Sequence, residues 1–411
     1  MIRKRLLHRG MLAGVFAVVG CLASGQILLA NDDDDRDDHK HQQKQQRPPQ
    51  VLKQGFESTD DLLDDAIRNE KGPDFSAWLV ESSRFVNVPH RSFTPDVGDP
   101  PFVDLPVNVG IIKAKNGDIT LYDSGWKQLA YIFDWNTSCC WYGIRNQMKA
   151  IGLDPDDVVR IIIGHGHWDH AGQLSEFPKA VLYVQKEELR QIDFFLNYPV
   201  AFNQGHIRAV NTVNPLTGQQ VGPPAQACMR SPVCGYPPQT VMEILGKVLG
   251  GKAKIVDGRH EIAPGLIIHP AFRGHTYGSQ LLQVNTPRGQ LVFGSDTYSS
   301  WEGIRDWFVA NIQQTDTIQQ MLAYEKCYVL TSRQNSFNNC VSAHEPKSYT
   351  AAYPLTANWW NIPNGNCSRA AELTLANGQK SLVSHDQSAN PPAQQPASQC
   401  QSVIPPHVIR P

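Results

Sequence analysis

The sequence predicts an α/β protein whose sheets are faced by helices, and three features of the chain carry that prediction. Short apolar runs rich in β-branched residues recur between turn signals, as at 161–163, 180–184 and 266–268. A segment with helical character, 186–196, follows the second of these directly, and alternation of strand with helix places helices over a sheet. The run Ile161-Ile162-Ile163 ends in Gly164 and is followed at once by three histidines and an aspartate, so a buried strand delivers ligand types to its own end. At 411 residues and 41 % hydrophobic composition the chain can bury a large core, and its length allows one to three domains. A formal net charge of −2 supplies no basic footprint for nucleic acid or an acidic membrane surface, and any steering of a substrate must be local.

In chain order, residues 1–30 read as an export signal. Arg3, Lys4, Arg5 and Arg9 precede an apolar run at 11–20, too short to span a bilayer. Val18-Val19-Gly20-Cys21 resembles a bacterial lipobox, which would leave a lipid anchor on Cys21; cleavage near Ala23 or Ala30 would instead release a periplasmic or secreted protein. Residues 31–55 are polar, acidic and then Gln/Lys-rich, and read as a disordered linker. Residues 56–350 form the main domain. It opens on a short helix at 56–69 with Asp60 as candidate cap, followed by strands at 78–80, 85–86, 107–114 and 119–122. Asn116-Gly117 sets a hairpin between the last two.

Between 131 and 142 aromatics crowd a segment without period, and Phe133, Trp135, Trp141 and Tyr142 either wall a substrate cleft or plug the core. A helix at 141–151 leads to the strand at 161–163. The Pro-, Gly-, Asn- and Gln-rich stretch 198–250 reads as an irregular insertion, a lid or a surface decoration. Further on, 254–256 and 266–268 are expected to form a hairpin, as are 280–284 and 290–293 around Pro287-Arg288-Gly289, and 301–330 is largely helical. Residues 351–411 read as a C-terminal wrap. With Cys21 set aside, the nine cysteines leave eight, and export permits disulfides; the sequence-close pairs are Cys228 with Cys234, Cys327 with Cys340, and Cys367 with Cys400.

The chemistry concentrates in Gly164-His165-Gly166-His167-Trp168-Asp169-His170. Alternation along an extended segment turns His165 and His167 to one side, where both can close on one ion. Asp169 shares that side, and His170 joins once the chain bends. Neutral imidazole with carboxylate suits Zn²⁺ and its first-row neighbours. The plain alternative is a histidine-rich surface loop, which four potential ligands at the end of a buried strand disfavour.

His-x-His-x-Asp-His resembles the signature of the metallo-β-lactamase-fold hydrolases. The likeness extends to Asp123-Ser124-Gly125 upstream, and downstream to Gly274-His275-Thr276, to Asp296 after a strand, and to His344 after a helical segment. It implies an αββα sandwich: two mixed sheets packed face to face, helices outside, the site at one edge. It also implies two divalent metal ions, zinc by preference. His165, His167 and His275 would hold the first, Asp169, His170 and His344 the second, with Asp296 between them. Glu345 and His269 are the competing ligands nearest in sequence. The implied chemistry is attack by a metal-bridging hydroxide on a polarised carbonyl, with Asp169 passing a proton to the leaving group and the Tyr298 hydroxyl bonding the substrate.

Within the family, the closest resemblance is to the N-acyl homoserine lactonase-like branch, which opens a lactone or related carboxylic ester. An aryl ester or phosphotriester hydrolase of the same fold is the alternative, and a metal-binding scaffold without catalysis the further one. The oligomeric state stays open.

Overall fold

The computed structural model describes residues 57–90, 102–126, 138–139, 143–196, 235–310, 315–331, 337–350, 355–356, 358–362 and 368–374. All of them belong to one compact unit, residues 50–411. Its larger sheet contains β1 (Ser76–Pro89), β2 (Phe102–Lys113), β3 (Ile119–Tyr122), β5 (Val158–Ile162), β6 (Val181–Gln185), β7 (Ala253–Val256), β13 (Asn358–Asn361) and β14 (Arg369–Thr374). They run in the order β13-β14-β1-β2-β3-β5-β6-β7, and the short β4 (Ser138–Cys139) pairs with β1. In the second sheet β12 (Cys340–Val341), β11 (Gly289–Phe293), β10 (Gln280–Thr286), β9 (Leu266–Pro270) and β8 (His260–Ala263) lie in that order. Both sheets are mixed, with β3, β5, β6 and β7 parallel to one another and β12 parallel to β11.

Side-chain alternation along the strands builds the layers. Ala77 and Leu79 of β1 join Ile112, Tyr122 and Ile162 against Leu266, Ile268, Leu282, Leu291 and Phe293, which fill the space between the sheets. Trp78 and Val80, one residue out of phase, pack on the outer face with α2 (Ile144–Ala150), α3 (Lys186–Leu196) and α4 (Pro238–Leu249). Leu281 and Val292 on the far face of the second sheet meet α1 (Thr59–Asn69), α5 (Trp301–Asp306) and α6 (Thr317–Leu330). The result is the predicted four-layer αββα sandwich.

Several elements differ from the sequence reading. The cap of α1 is Ser58, not Asp60: Ser58 and Asp61 exchange hydrogen bonds as a capping box, which leaves Asp60 in the first turn. The two short strands expected at 78–80 and 85–86 are one strand, β1, bulged between Glu81 and Ser83 and between Phe85 and Val88. Residues 253–256 pair in parallel with β6, so the hairpin partner of β9 is β8. Register decides this, because Val256 ends in the inter-sheet layer while Gly265 (φ 85°) supplies the turn that β8 and β9 need. The stretch 198–250 ends in a regular helix, α4, whose Ile244 is fully buried; its apolar spacing was hidden by the Pro/Gly-rich residues ahead of it. The C-terminal segment supplies β13 and β14, with β14 paired to β1, so part of the expected wrap extends the sheet. The Asn116-Gly117 hairpin and the β10–β11 hairpin form as predicted. Cys327 and Cys340 stand side by side with Cα atoms 6.0 Å apart; in each of the other two cysteine pairs both residues lie outside the described residues.

Candidate metal centre

All seven predicted ligands converge at one edge of the sandwich, each just beyond the end of a strand. His165, His167, Asp169 and His170 follow β5, His275 lies on the loop between β9 and β10, Asp296 follows β11, and His344 follows β12. Backbone strain accumulates at the same place. Of the four non-glycine residues with left-handed φ among the described residues, three abut the site: Asp123 (66°), Arg273 (62°) and Ser295 (49°). Such conformations cost free energy and persist where surrounding contacts over-determine them.

Two ligand sets are resolved: His165, His167, His275 and Asp296 in one, Asp169, His170, His344 and Asp296 in the other. In the first, His275 Nε2 lies 3.0 Å from His167 Nδ1 and 3.3 Å from Asp296 Oδ2, with His165 Nε2 3.8 Å from the same oxygen. In the second, Asp296 Oδ1 stands 2.8 Å from His344 Nε2 and 3.0 Å from His170 Nε2. Asp169 Oδ2 is 3.1 Å from His170 Nε2 and 3.6 Å from His344 Nε2. Asp296 therefore divides its two oxygens between the sets.

The donor chemistry fits divalent cations. His165 Nε2, His170 Nε2 and Asp296 Oδ1 are buried and make no aligned hydrogen bond, an arrangement that costs free energy unless a cation takes the lone pairs. Burial, then the neighbouring imidazoles, holds His165 and His167 well below the usual histidine range, and burial brings His275 down to about 4. These three imidazoles are neutral lone-pair donors. Burial would also lower His170 and His344, but Asp169 and Asp296 outweigh it and raise both. Burial would raise Asp296, yet His170, His344 and His275 hold it well below the carboxylate range, so it is ionised.

Partners behind the ligands fix their rings. His170 Nδ1 faces Asp123 Oδ2 at 2.9 Å, His344 Nδ1 donates to the Pro106 carbonyl at 2.7 Å, and His165 Nδ1 meets Ser295 Oγ at 3.1 Å. In each case the Nε2 lone pair is left aimed at the site. Asp123 also accepts from the Gly164 amide and from Ser295 Oγ, both at 2.7 Å, and so ties the β3, β5 and β11 loops together. Sequence reasoning singled out Asp123 as a landmark without this role. Ser295, next to a ligand, and Pro106 carried no signal.

The two competing ligands are used elsewhere. His269 sits between Glu57 (2.9 Å) and Gln283 (3.0 Å), and Glu345 accepts from the amides of Trp301 (2.7 Å) and Lys347 (2.9 Å). Tyr298 is a correction. It is fully buried among Leu281, Val292 and Tyr324, and its hydroxyl donates to the Ala323 carbonyl at 2.8 Å instead of facing the ligands. The predicted pocket residues Phe133, Trp135, Trp141 and Tyr142 lie outside the described residues. An aromatic group the sequence reading passed over does border the site: Trp168, inside the ligand motif, packs edge-on against Trp126 (5.1 Å) and Phe85 (5.7 Å), and Phe85 lies 5.7 Å from the His344 ring. The end of the 198–250 stretch also reaches the ligands. Gly235 accepts from the Trp168 amide at 2.9 Å, and a Cβ at Gly235 would overlap the His167 ring.

Comparison with known proteins bears on the family of the chain. The family model described as "Metallo-beta-lactamase superfamily" matches residues 103–329. A curated relative, N-acyl homoserine lactonase AttM of Agrobacterium fabrum (strain C58 / ATCC 33970), is 44 % identical over 46 residues, 11 % of this chain and 18 % of the relative. The matched stretch thus spans under a fifth of that relative's length. Among solved structures, a quorum-quenching N-acyl homoserine lactone lactonase aligns at 16 % identity and TM-score 0.45 over 68 % of this chain and 96 % of its own. AidC, a dizinc quorum-quenching lactonase in complex with N-hexanoyl-L-homoserine product, aligns at 16 % identity and TM-score 0.45 over 74 % and 96 %.

Proposed function

This chain belongs to the metallo-beta-lactamase superfamily, and from that premise we propose that it is an exported hydrolase of two divalent metal ions, zinc by preference, that opens a lactone or related carboxylic ester. The observation that carries the reading is Asp296, whose two oxygens face two separate sets of ligands. His165, His167 and His275 would hold one ion and Asp169, His170 and His344 the other. When bound, such a pair lowers the pKa of water toward neutrality and polarises a carbonyl oxygen.

The chain's own residues supply the rest. Asp123 and the Pro106 carbonyl keep His170 and His344 in one tautomer, so both present Nε2. Asp169, whose Oδ2 lies beside His170 and His344, would hold the proton that a departing alkoxide needs. Phe85, Trp126 and Trp168 offer an apolar wall beside the second ligand set, which favours a substrate with an acyl or aryl substituent over a polyanion. The curated relatives named as N-acyl homoserine lactonases support the lactone as substrate class. Export rests on the basic-then-apolar residues 1–30, and the close approach of Cys327 and Cys340 supports a disulfide there. Thiol counting on denatured, unreduced protein is expected to find fewer free thiols than cysteines.

A panel of lactones, aryl esters and phosphotriesters tests the assignment. Lactones with apolar substituents are expected to turn over fastest, and His167→Ala to abolish turnover of every substrate. Trp168→Ala is expected to weaken long-chain substrates more than short ones, by about 1–3 kcal/mol. Phosphotriester turnover well above lactone turnover would move the enzyme to another substrate class, and no turnover at all would leave a metal-binding scaffold.

A further inference from the structure

Glu188, on α3, belongs to neither ligand set, yet its carboxylate is fully buried beside them. Its Oε1 accepts from the Gly166 amide at 2.5 Å and from the Tyr236 hydroxyl. Its Oε2 accepts from Thr276 Oγ1 at 2.8 Å and from the Gly278 amide at 3.0 Å. Every one of these donors is neutral. A buried carboxylate without a cationic partner is costly, and filling its lone pairs with aligned donors offsets that cost only while all four stay in place. Burial pushes the Glu188 carboxyl up, and the four donors oppose that rise.

The position of the donors gives the cluster its meaning. Gly166 lies between His165 and His167, and Thr276 follows His275. The Tyr236 ring packs edge-on against the His167 imidazole, with centroids 5.0 Å apart. Gly278 approaches α3 so closely that a Cβ there would overlap the backbone of Glu188. One side chain therefore grips the backbone on both sides of the first ligand set. None of its four donors adjoins Asp169, His170 or His344 in sequence: Gly166 shares the loop after β5 with the first two, but stands between His165 and His167.

Resting on the two-metal reading above, we propose that Glu188 is a positioning residue for the His165, His167 and His275 set alone. It fixes the spacing between the loop after β5 and the loop after β9, so that three imidazole nitrogens from two loops meet at one point. His170 and His344 of the second set are held instead by Asp123 and the Pro106 carbonyl.

Glu188→Gln keeps the volume but replaces one acceptor oxygen by a donor, which must then face either the Gly166 or the Gly278 amide. Neither amide can reverse its role, whereas the hydroxyls of Tyr236 and Thr276 can. The test is cobalt(II) titration of the metal-stripped full chain against a competing chelator, read by the visible spectrum. His167→Ala and His344→Ala proteins identify the band of each site. The wild type is expected to take up two ions. Glu188→Gln is expected to bind the first-set ion about 10–100-fold more weakly and to lose that band at limiting cobalt, with the other ion unaffected.

Tyr236→Phe and Thr276→Val keep the carboxylate and both amides, and are expected to weaken the same ion by less. They decide the matter if Glu188→Gln does not fold: weakening of the first-set ion alone supports the proposal, and no weakening overturns it. Two ions bound by Glu188→Gln with wild-type affinities and spectrum would overturn it, as would equal weakening of both. A wild type that takes up fewer than two ions would remove the two-metal reading and this one with it.

Discussion

The candidate ligands were legible where a short-range signature ends a strand: imidazoles alternating after 161–163, a histidine between Gly274 and Thr276, an aspartate after Gly294-Ser295; His344 had only its place after a helical segment. Their partners were not, because they act across the chain. Asp123 meets His170 from 47 residues away, and Glu188 meets Gly166 from 22. Tyr298 shows the opposite failure. An offset of two from Asp296 looked close enough for catalysis, but residues 295–298 form a tight 3₁₀ turn, which sends side chains two apart in different directions. Its hydroxyl satisfies a buried carbonyl instead. Tyr298→Phe is therefore expected to destabilise the protein by about 0.5–1.5 kcal/mol, through the lost bond to the Ala323 carbonyl, while leaving kcat near wild type. A large kcat loss at unchanged stability would return Tyr298 to the reaction.

Among the elements, the strands flanking β5 followed from apolar runs and turn residues, whereas the edges of the larger sheet did not. β14 reads weakly because Arg369 and Glu372 interrupt Ala370, Ala371 and Leu373, and what holds it is a buried ion cluster invisible in sequence. Glu81 of β1, fully buried, accepts from Arg84 at 2.6 and 2.9 Å and from Arg369 at 2.6 and 3.1 Å. Burial would raise its carboxyl, but Arg369 and Arg84 outweigh burial and lower it. Arg369→Ala strips one cation from a charge that cannot reach water, and denaturant unfolding is expected to show a loss of roughly 3–5 kcal/mol. A loss no larger than that of an exposed arginine would mean that backbone pairing alone secures β14.

The start of α1 is held in a similar way. Glu57 bonds His269 at 2.9 Å and Lys326 at 2.8 Å. Burial would raise the Glu57 carboxyl, but His269 and Lys326 bring it down to about 2 from 4.5. A carboxyl lowered on folding contributes stability that is fully present above its unfolded value and lost as pH falls through the folded one. The stability difference between wild type and Glu57→Gln should therefore hold steady above pH 4.5 and shrink toward pH 2. A difference independent of pH across that window would show that the pair does not couple to folding.

At the scale of the molecule, the αββα arrangement was legible because strand periodicity, helix alternation and the ligand motif all point to one architecture. Much of 198–250 stayed illegible, since Pro, Gly and Asn obscure the apolar spacing of α4 until the partner surface on β6 and β7 is known. The fold brings four separate strand ends to one edge and places Asp296 where two candidate ligand sets meet, so the proposed function rests on how many ions those sets hold. Metal analysis of the purified, metal-replete protein beside Asp296→Ala tests this most directly. The account predicts close to two transition-metal ions per chain in the wild type and the loss of at least one in Asp296→Ala, because the remaining ligands cannot screen two cations from each other. A single ion in the metal-replete wild type would contradict it.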